Sequence, residues 1–371
     1  MMSNNPGPIF SWADRVADPM EDRLAALASR LGEGDGPADE AGTWPGELWA
    51  QLEEAGATRW SLPREHDGEG CDRPTLLHRY ARVAEGSLTS AFILSQYDAG
   101  VRRLLATLDR PGASFWMAQV KDHKAFLTVG LSQLTTSRRH GAQALTATEG
   151  APGTYRLDGV MPWVTAAERA EVIVTGAVIE GGGQLLLAVP TGRSGLRVRS
   201  PFSLAALQAS RTSEVVCEGV QVGPFDVLAG PSPDVMAQTG TGGTGGLETS
   251  ALALGQARAA IGALASEAPR RLELAEPVEA LGGSWRDAWS NLMAAAGGTP
   301  GAPAASEVRA EANALVLRAT QAYLTARKGS GFLTSDPAQR WARQALFFLV
   351  WSCPGPVAEA SIRDLAGLCS A

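Results

Sequence analysis

The sequence predicts an α+β multidomain fold: an N-terminal helical domain, a middle antiparallel β-domain of barrel or sandwich type, and a C-terminal helical bundle. Three observations predict it. Apolar residues recur at three- and four-residue steps through residues 1–122; short extended runs rich in Val, Thr and Leu replace that period over residues 123–230; and an Ala-rich helical pattern returns over residues 231–371. A chain of 371 residues with 45% hydrophobic content can supply three such parts and bury a large core without covalent staples.

In the first part, Leu24, Leu27 and Leu31 mark one helical face and Leu48, Leu52 and Ala55 another. Residues 32–42, rich in Gly, Asp and Pro, and residues 62–70 (LPREHDGEG) are expected as connections. In the middle part, AFLTVGL, EVIVTGAV and QLLLAVP read as strands, with Gly181-Gly182-Gly183 a hairpin turn because glycine enters positive φ at little cost. Residues 231–246 are expected as a flexible connection. The GTGGTGG string within them has no strand ahead of it, so it reads as a linker and not a nucleotide loop. Three helices follow, over residues 251–265, 307–327 and 337–351. The last ends in ALFFLVW, an unbroken apolar run that implies burial on nearly all sides, and residues 294–305 form a loop.

Charge and composition exclude several function classes. Lys and Arg number 32 against 39 Asp and Glu, a formal charge of −7, which argues against nucleic acid because phosphate neutralisation needs an excess of clustered cations. The short Arg138-Arg139-His140 run reads as a solvated turn. Cys71, Cys217, Cys353 and Cys369 are too widely spaced for a zinc site or a disulfide framework, and His66, His78, His123 and His140 show no ligand spacing, so no metal is expected. Asp14 and Arg15 interrupt any leader-like stretch and no apolar run reaches the ~20 residues of a membrane span, so the expectation is a soluble, cytoplasmic protein.

Several local strings carry a resemblance. LWAQLEEAGATRWSLPREHDGEG (48–70), TVGLS (128–132), LDGVMPWVT (157–165), ALGQARAA (253–260) and GSGF (329–332) with Pro337, Arg340 and Arg343 together resemble the acyl-CoA dehydrogenase superfamily along almost the whole chain. The resemblance implies that the C-terminal bundle is a four-helix bundle and that the chain is an FAD-binding oxidoreductase that removes hydrogens across the α,β bond of an acyl thioester. It implies a homodimer or homotetramer and an electron-transfer partner. It further implies that Leu131 and Ser132 touch the flavin ring edge, Trp163 packs on its benzenoid side, Thr165 approaches N5, and Arg271 meets the pyrophosphate, a task suited to a planar guanidinium.

The chain departs from that pattern at the chemistry. Such a dehydrogenation needs a base. In the family's loop Ser335 occupies the glutamate's place, Gly245 occupies the alternative seat, and a Glu-Gly-Thr turn becomes Ser352-Cys353-Pro354. Asp336 and Glu248 are the substitute carboxylates, although Asp336 before Pro337 also fits a helix cap and Glu248 a helix N-terminus. Arg271 has a plain alternative too, pairing with Glu273 or Glu276. The flavin site is thinned at Gln133, Leu134, Leu274 and Gly282. Two other functions therefore stand beside dehydrogenation: a flavin-dependent monooxygenase of the same fold, which needs no such base, and a non-catalytic binding or scaffold protein.

Overall fold

The structure, a computed structural model, describes residues 18–134, 145–179, 182–238, 246–351 and 353–368. The Arg138-Arg139-His140 run, Gly181, Gly240–Gly245 of the glycine-rich string, and Cys369 lie outside these. The chain divides into two compact units: Met1–Pro37 with Asp72–Ala91 and Gly245–Ala371, and Ala38–Cys71 with Phe92–Thr244. The division falls inside α1 (Glu21–Ala41) and α4 (Leu88–Leu105).

The first unit is helical. Asp72 opens α3 (Arg73–Gly86) by accepting from the Thr75 amide at 2.9 Å, a standard N-cap contact. Helix α3 packs on α7 (Leu247–Glu267), and α7 packs on α8 (Ala275–Ala296) and α9 (Ala305–Arg327). Small residues set the approach of α3 and α7: a Cβ at Gly255 would come within 2.2 Å of the Ala81 carbonyl. Trp285 and Trp289 stack at 5.3 Å and 10°, and Trp285 Nε1 donates to the Leu254 carbonyl at 2.9 Å, so the indole's one polar atom is satisfied in the core.

Three expectations are corrected here. Residues 32–42 are not a connection, because α1 runs on through Gly32, Gly34, Gly36 and Pro37 to Ala41. Asp35, 1% exposed, explains this: it accepts from Ser87 Oγ at 2.7 Å and Arg340 Nε at 2.9 Å, and these buried bonds outweigh the weak helix propensity of the glycines. Helix α8 was not foreseen. Its buried Val278, Trp285, Ala288, Trp289 and Leu292 keep helical spacing, but Pro277, Gly282 and Gly283 dilute the local signal. The expected single helix over 337–351 is two, α10 (Pro337–Ala345) and α11 (Phe347–Val350), and α12 (Gly355–Leu365) follows. The run is not buried all round: Phe348 is fully buried, while Leu346 is 47% and Val350 78% exposed. Asn313 Nδ2 and Arg309 Nη2 take the Phe348 and Trp351 carbonyls at 2.8 and 3.1 Å. Side chains of α9 thereby cap the short helix and end it early.

The second unit carries α2 (Gly46–Glu54), α5 (Pro111–Lys121) and one eight-stranded sheet. Its strands are β1 (Leu127–Gly130), β2 (Thr146–Glu149), β3 (Tyr155–Val164), β4 (Val172–Ile179), β5 (Gln184–Pro190), β6 (Leu196–Val198), β7 (Ser213–Val222) and β8 (Val227–Ser232). The order is β6-β7-β3-β2-β4-β5-β8, with β1 also on β4. The sheet is mixed and not purely antiparallel, since β1 and β2 both pair parallel with β4. Strand β4 suits that central place: its first six residues are all buried, as expected of a strand covered on both faces. The β4–β5 hairpin forms as expected, with Gly182 and Gly183 at φ 111° and 95°. Part of the expected flexible connection is ordered, because β8 reaches Ser232 and a one-turn α6 (Val235–Gln238) follows. No described helix is long and apolar enough to cross a membrane.

Candidate functional site

In the sheet unit, four of the expected site residues lie just after β1 and at the end of β3, two strands that pack together. Gly130 permits the approach: a Cβ there would stand 3.0 Å from Val164 Cγ2 and 3.1 Å from Met161 Sδ. Leu131 follows, 6% exposed, and Ser132 begins a 3-10 turn over Ser132–Leu134. Gln133 departs from the family's pattern at this turn. In the structure its buried amide pins this turn, donating to the carbonyls of Gly130 and Gly176 at 2.8 Å and to Thr175 Oγ1 at 3.0 Å. An amide inside an apolar, strand-like run was the available signal.

Strand β3 is continuous from Tyr155 to Val164, with an irregular register to β7 between Leu157 and Asp158. A second irregularity falls between Met161 and Val164. On a regular strand Met161 and Trp163 would share a face. The break around Pro162, which has no amide to donate, separates them: Met161 is fully buried and Trp163 is 41% exposed. The indole rests on Phe202 with ring centroids 4.8 Å apart and planes at 47°. Phe202 is itself fixed, because its amide bonds the Thr212 carbonyl at 2.9 Å and its carbonyl accepts from Gln208 Nε2 at 2.8 Å. Thr165 is 1% exposed, with its carbonyl on Thr128 Oγ1 at 2.8 Å and its hydroxyl 3.3 Å from Thr212 Oγ1; it holds the strand end from inside.

In the helical unit, Arg271 and Asp336 are joined through two other residues. Arg271 Nε donates to Glu273 at 3.0 Å, and its Nη1 donates to Glu267 at 3.1 Å and to the Ala326 carbonyl at 2.6 Å. Glu267 also pairs with Arg327 at 3.2 Å, and Arg327 pairs with Asp336 Oδ2 at 2.8 Å. Hydrogen bonding to Asp336, and then to Glu267, raises the Arg327 guanidinium above its ordinary value. The other Asp336 oxygen caps α10 by accepting from the Ala338 amide at 2.9 Å. Glu248 stands in the first turn of α7, 3.4 Å from Arg73 Nη2. Glu267 stands nineteen positions further along α7, which at the helical rise is about 28 Å. Glu248 and the Asp336 chain therefore occupy opposite ends of one helix.

The side chains fit a flavin in part. The sheet unit offers one exposed aromatic face, Trp163 backed by Phe202, which suits a flat ring. Arg271 does not offer a free fork for a diphosphate, because Glu273, Glu267 and a carbonyl already hold two of its three nitrogens.

No family model matches the chain. A probable acyl-CoA dehydrogenase, YngJ, of Bacillus subtilis (strain 168) is 26% identical over 250 residues, 65% of this chain and 64% of that protein, so the match spans just under two thirds of the relative's length. Butyryl-CoA dehydrogenase from Megasphaera elsdenii superposes with a TM-score of 0.76 at 17% identity, covering 95% of this chain and 99% of that one. Dibenzothiophene monooxygenase from Paenibacillus sp. A11-2 gives 0.76 at 17% identity, covering 93% and 95%. At such identities the superpositions establish the fold: helices, a middle sheet and a C-terminal bundle.

Proposed function

We propose that this chain, which belongs to the acyl-CoA dehydrogenase superfamily, is a flavin-dependent oxidoreductase that dehydrogenates the α,β bond of an acyl thioester or similar small molecule. FAD is the expected cofactor, with Leu131, Ser132 and Trp163 against its ring. The observation that carries this reading is the Trp163 ring, left 41% exposed on a strand whose flanking Met161 and Val164 are fully buried. A rigidly mounted, half-open indole gains most when a second flat aromatic covers it. Bound there, a flavin supplies a two-electron acceptor.

The chain's own part is to receive a proton from the substrate. Asp336 has one oxygen on a helix cap and the other on Arg327, so leaving that arrangement would cost it both contacts. Glu248, in the first turn of α7 beside Arg73, is the carboxylate assigned that role. Arg271 is assigned to helix packing rather than to phosphate.

A homo-oligomer and an electron-transfer partner belong to the same proposal. The helical unit leaves Leu272 and Phe332 82%, Val350 78% and Ile362 68% exposed, side chains that a second copy would cover.

Incubation with FAD followed by gel filtration tests the reading: flavin absorbance is expected to travel with the protein, and a protein that stays colourless refutes it. The engagement of both Asp336 oxygens favours one second reading, oxygenation by reduced flavin, which needs no carboxylate base. Rapid reaction of the reduced flavin with oxygen, only when a separate reductase supplies it, would select that reading.

A further inference from the structure

The sheet unit contains a second polar pocket that none of the residues above enters. Its floor is aromatic: Trp49 of α2, Tyr97 of α4 and Phe126 just before β1 meet with ring centroids 5.0 to 5.7 Å apart. The open volume between these rings and the rim is about 70 Å³, enough for a molecule of a few heavy atoms. Tyr97 is only 4% exposed, lines this space, and its hydroxyl forms no hydrogen bond among the described residues. That oxygen is open to the pocket and not sealed in protein, so a ligand group there takes the place of water. Burial, followed by the charges of Asp98 and Glu53, raises the Tyr97 phenol above its ordinary value, so it stays a neutral O–H.

The rim carries both signs of charge. Glu53 Oε1 accepts from Trp49 Nε1 at 3.0 Å and faces His123 Nδ1 at 3.7 Å, while Glu171 Oε2 accepts from the Phe126 amide at 2.6 Å. Each carboxylate keeps its second oxygen outside these bonds. Lys124 is drawn to Asp122 at 2.8 Å, whereas the Arg169 guanidinium on the rim has no side-chain partner among the described residues.

We infer that this pocket binds a small amino-acid zwitterion. Its ammonium group meets the open oxygens of Glu53 and Glu171 and the Tyr97 hydroxyl, its short aliphatic part rests on Trp49 and Phe126, and its carboxylate meets Arg169. The aromatic floor favours a cation with a hydrocarbon stem, and the unpaired guanidinium supplies the opposite pole.

Isothermal titration of the whole chain with L-alanine, ethylammonium chloride and sodium acetate tests this. Saturable binding of L-alanine is expected in the millimolar range, with ethylammonium weaker and acetate not saturating. Tyr97→Phe and Arg169→Gln should each raise the alanine dissociation constant about fivefold or more. Both variants keep the aromatic floor and the fold, since Arg169 is exposed and the Tyr97 hydroxyl bonds nothing in the protein. No saturable signal for alanine up to about 100 mM, or unchanged affinity in Tyr97→Phe, would overturn the site. Ethylammonium binding as tightly as alanine would overturn the zwitterion.

Discussion

Replacing Asp35 by Asn puts the most unexpected piece of the fold to a quantitative test. The carboxylate is 1% exposed and takes Ser87 Oγ on one oxygen and Arg340 Nε on the other, with Gln344 Nε2 at 3.5 Å. Arg340 is itself 7% exposed, so the substitution leaves a guanidinium in the interior without its counter-charge. Breaking a buried pair from one side costs about 3–5 kcal/mol, because the remaining charge stays desolvated. For a unit of this size each kcal/mol moves the midpoint by roughly 2–4 °C, so the loss is roughly 6–20 °C in the transition of the helical unit. Scanning calorimetry reads this directly. Arg340→Met alone should cost a similar amount. The double variant should be more stable than the sum of the two losses by about 2 kcal/mol or more, since it buries no orphan charge. A single-variant loss below about 1 kcal/mol, or strict additivity in the double, would refute the claim that this pair holds residues 32–41 in a helix.

Three further outcomes are expected. Trp163→Ala should weaken retention of FAD at least tenfold by fluorescence titration while shifting the thermal midpoint by only a few degrees, since the ring is already 41% exposed; unchanged retention would remove Trp163 from the ring wall. Burial, with Asp158 adding to it, pushes the Cys217 thiol up to about 12, so iodoacetamide near pH 8 should label Cys71 in the native protein and leave Cys217 untouched, as peptide mapping would show. For Asp18, burial raises the carboxyl, but the hydrogen bonds from Arg79 and the Met20 amide outweigh it and leave the group below its ordinary 3.8. A depressed carboxylate contributes stability that is present above the unfolded value and is lost as pH falls through the folded one. Denaturant midpoints should therefore decline below about pH 4, and Arg79→Met should flatten that decline; an identical acid limb in the variant would contradict it.

Trp163, Ser132 and Leu131 stand out in the sequence because the strings around them carry local pattern. Gln133 was misjudged because its partners Thr175 and Gly176 stand more than forty residues away. Arg271 and Asp336 each had two sequence readings. The structure places both in contacts that favour the plainer one, and the deciding partners, Glu267 and Arg327, came from segments that sequence spacing does not relate. Tyr97 carries no local signal, since an aromatic on a helix reads as core until the cavity beside it is seen.

By itself the sequence determined the order of helices, strands and helices, because the switch of apolar period from 3.6 to 2 and back is written in consecutive residues. It also determined the β4–β5 hairpin, whose glycines supply the positive φ that the turn requires. The tertiary structure alone decided that a glycine- and proline-rich stretch is helix, that two strands run parallel to β4, and which face of β3 the indole of Trp163 leaves open. Each of those outcomes depends on a bond or a steric limit between residues far apart in the chain, such as Asp35 with Arg340 or Gly130 with Met161, and a local pattern carries no record of such distant neighbours.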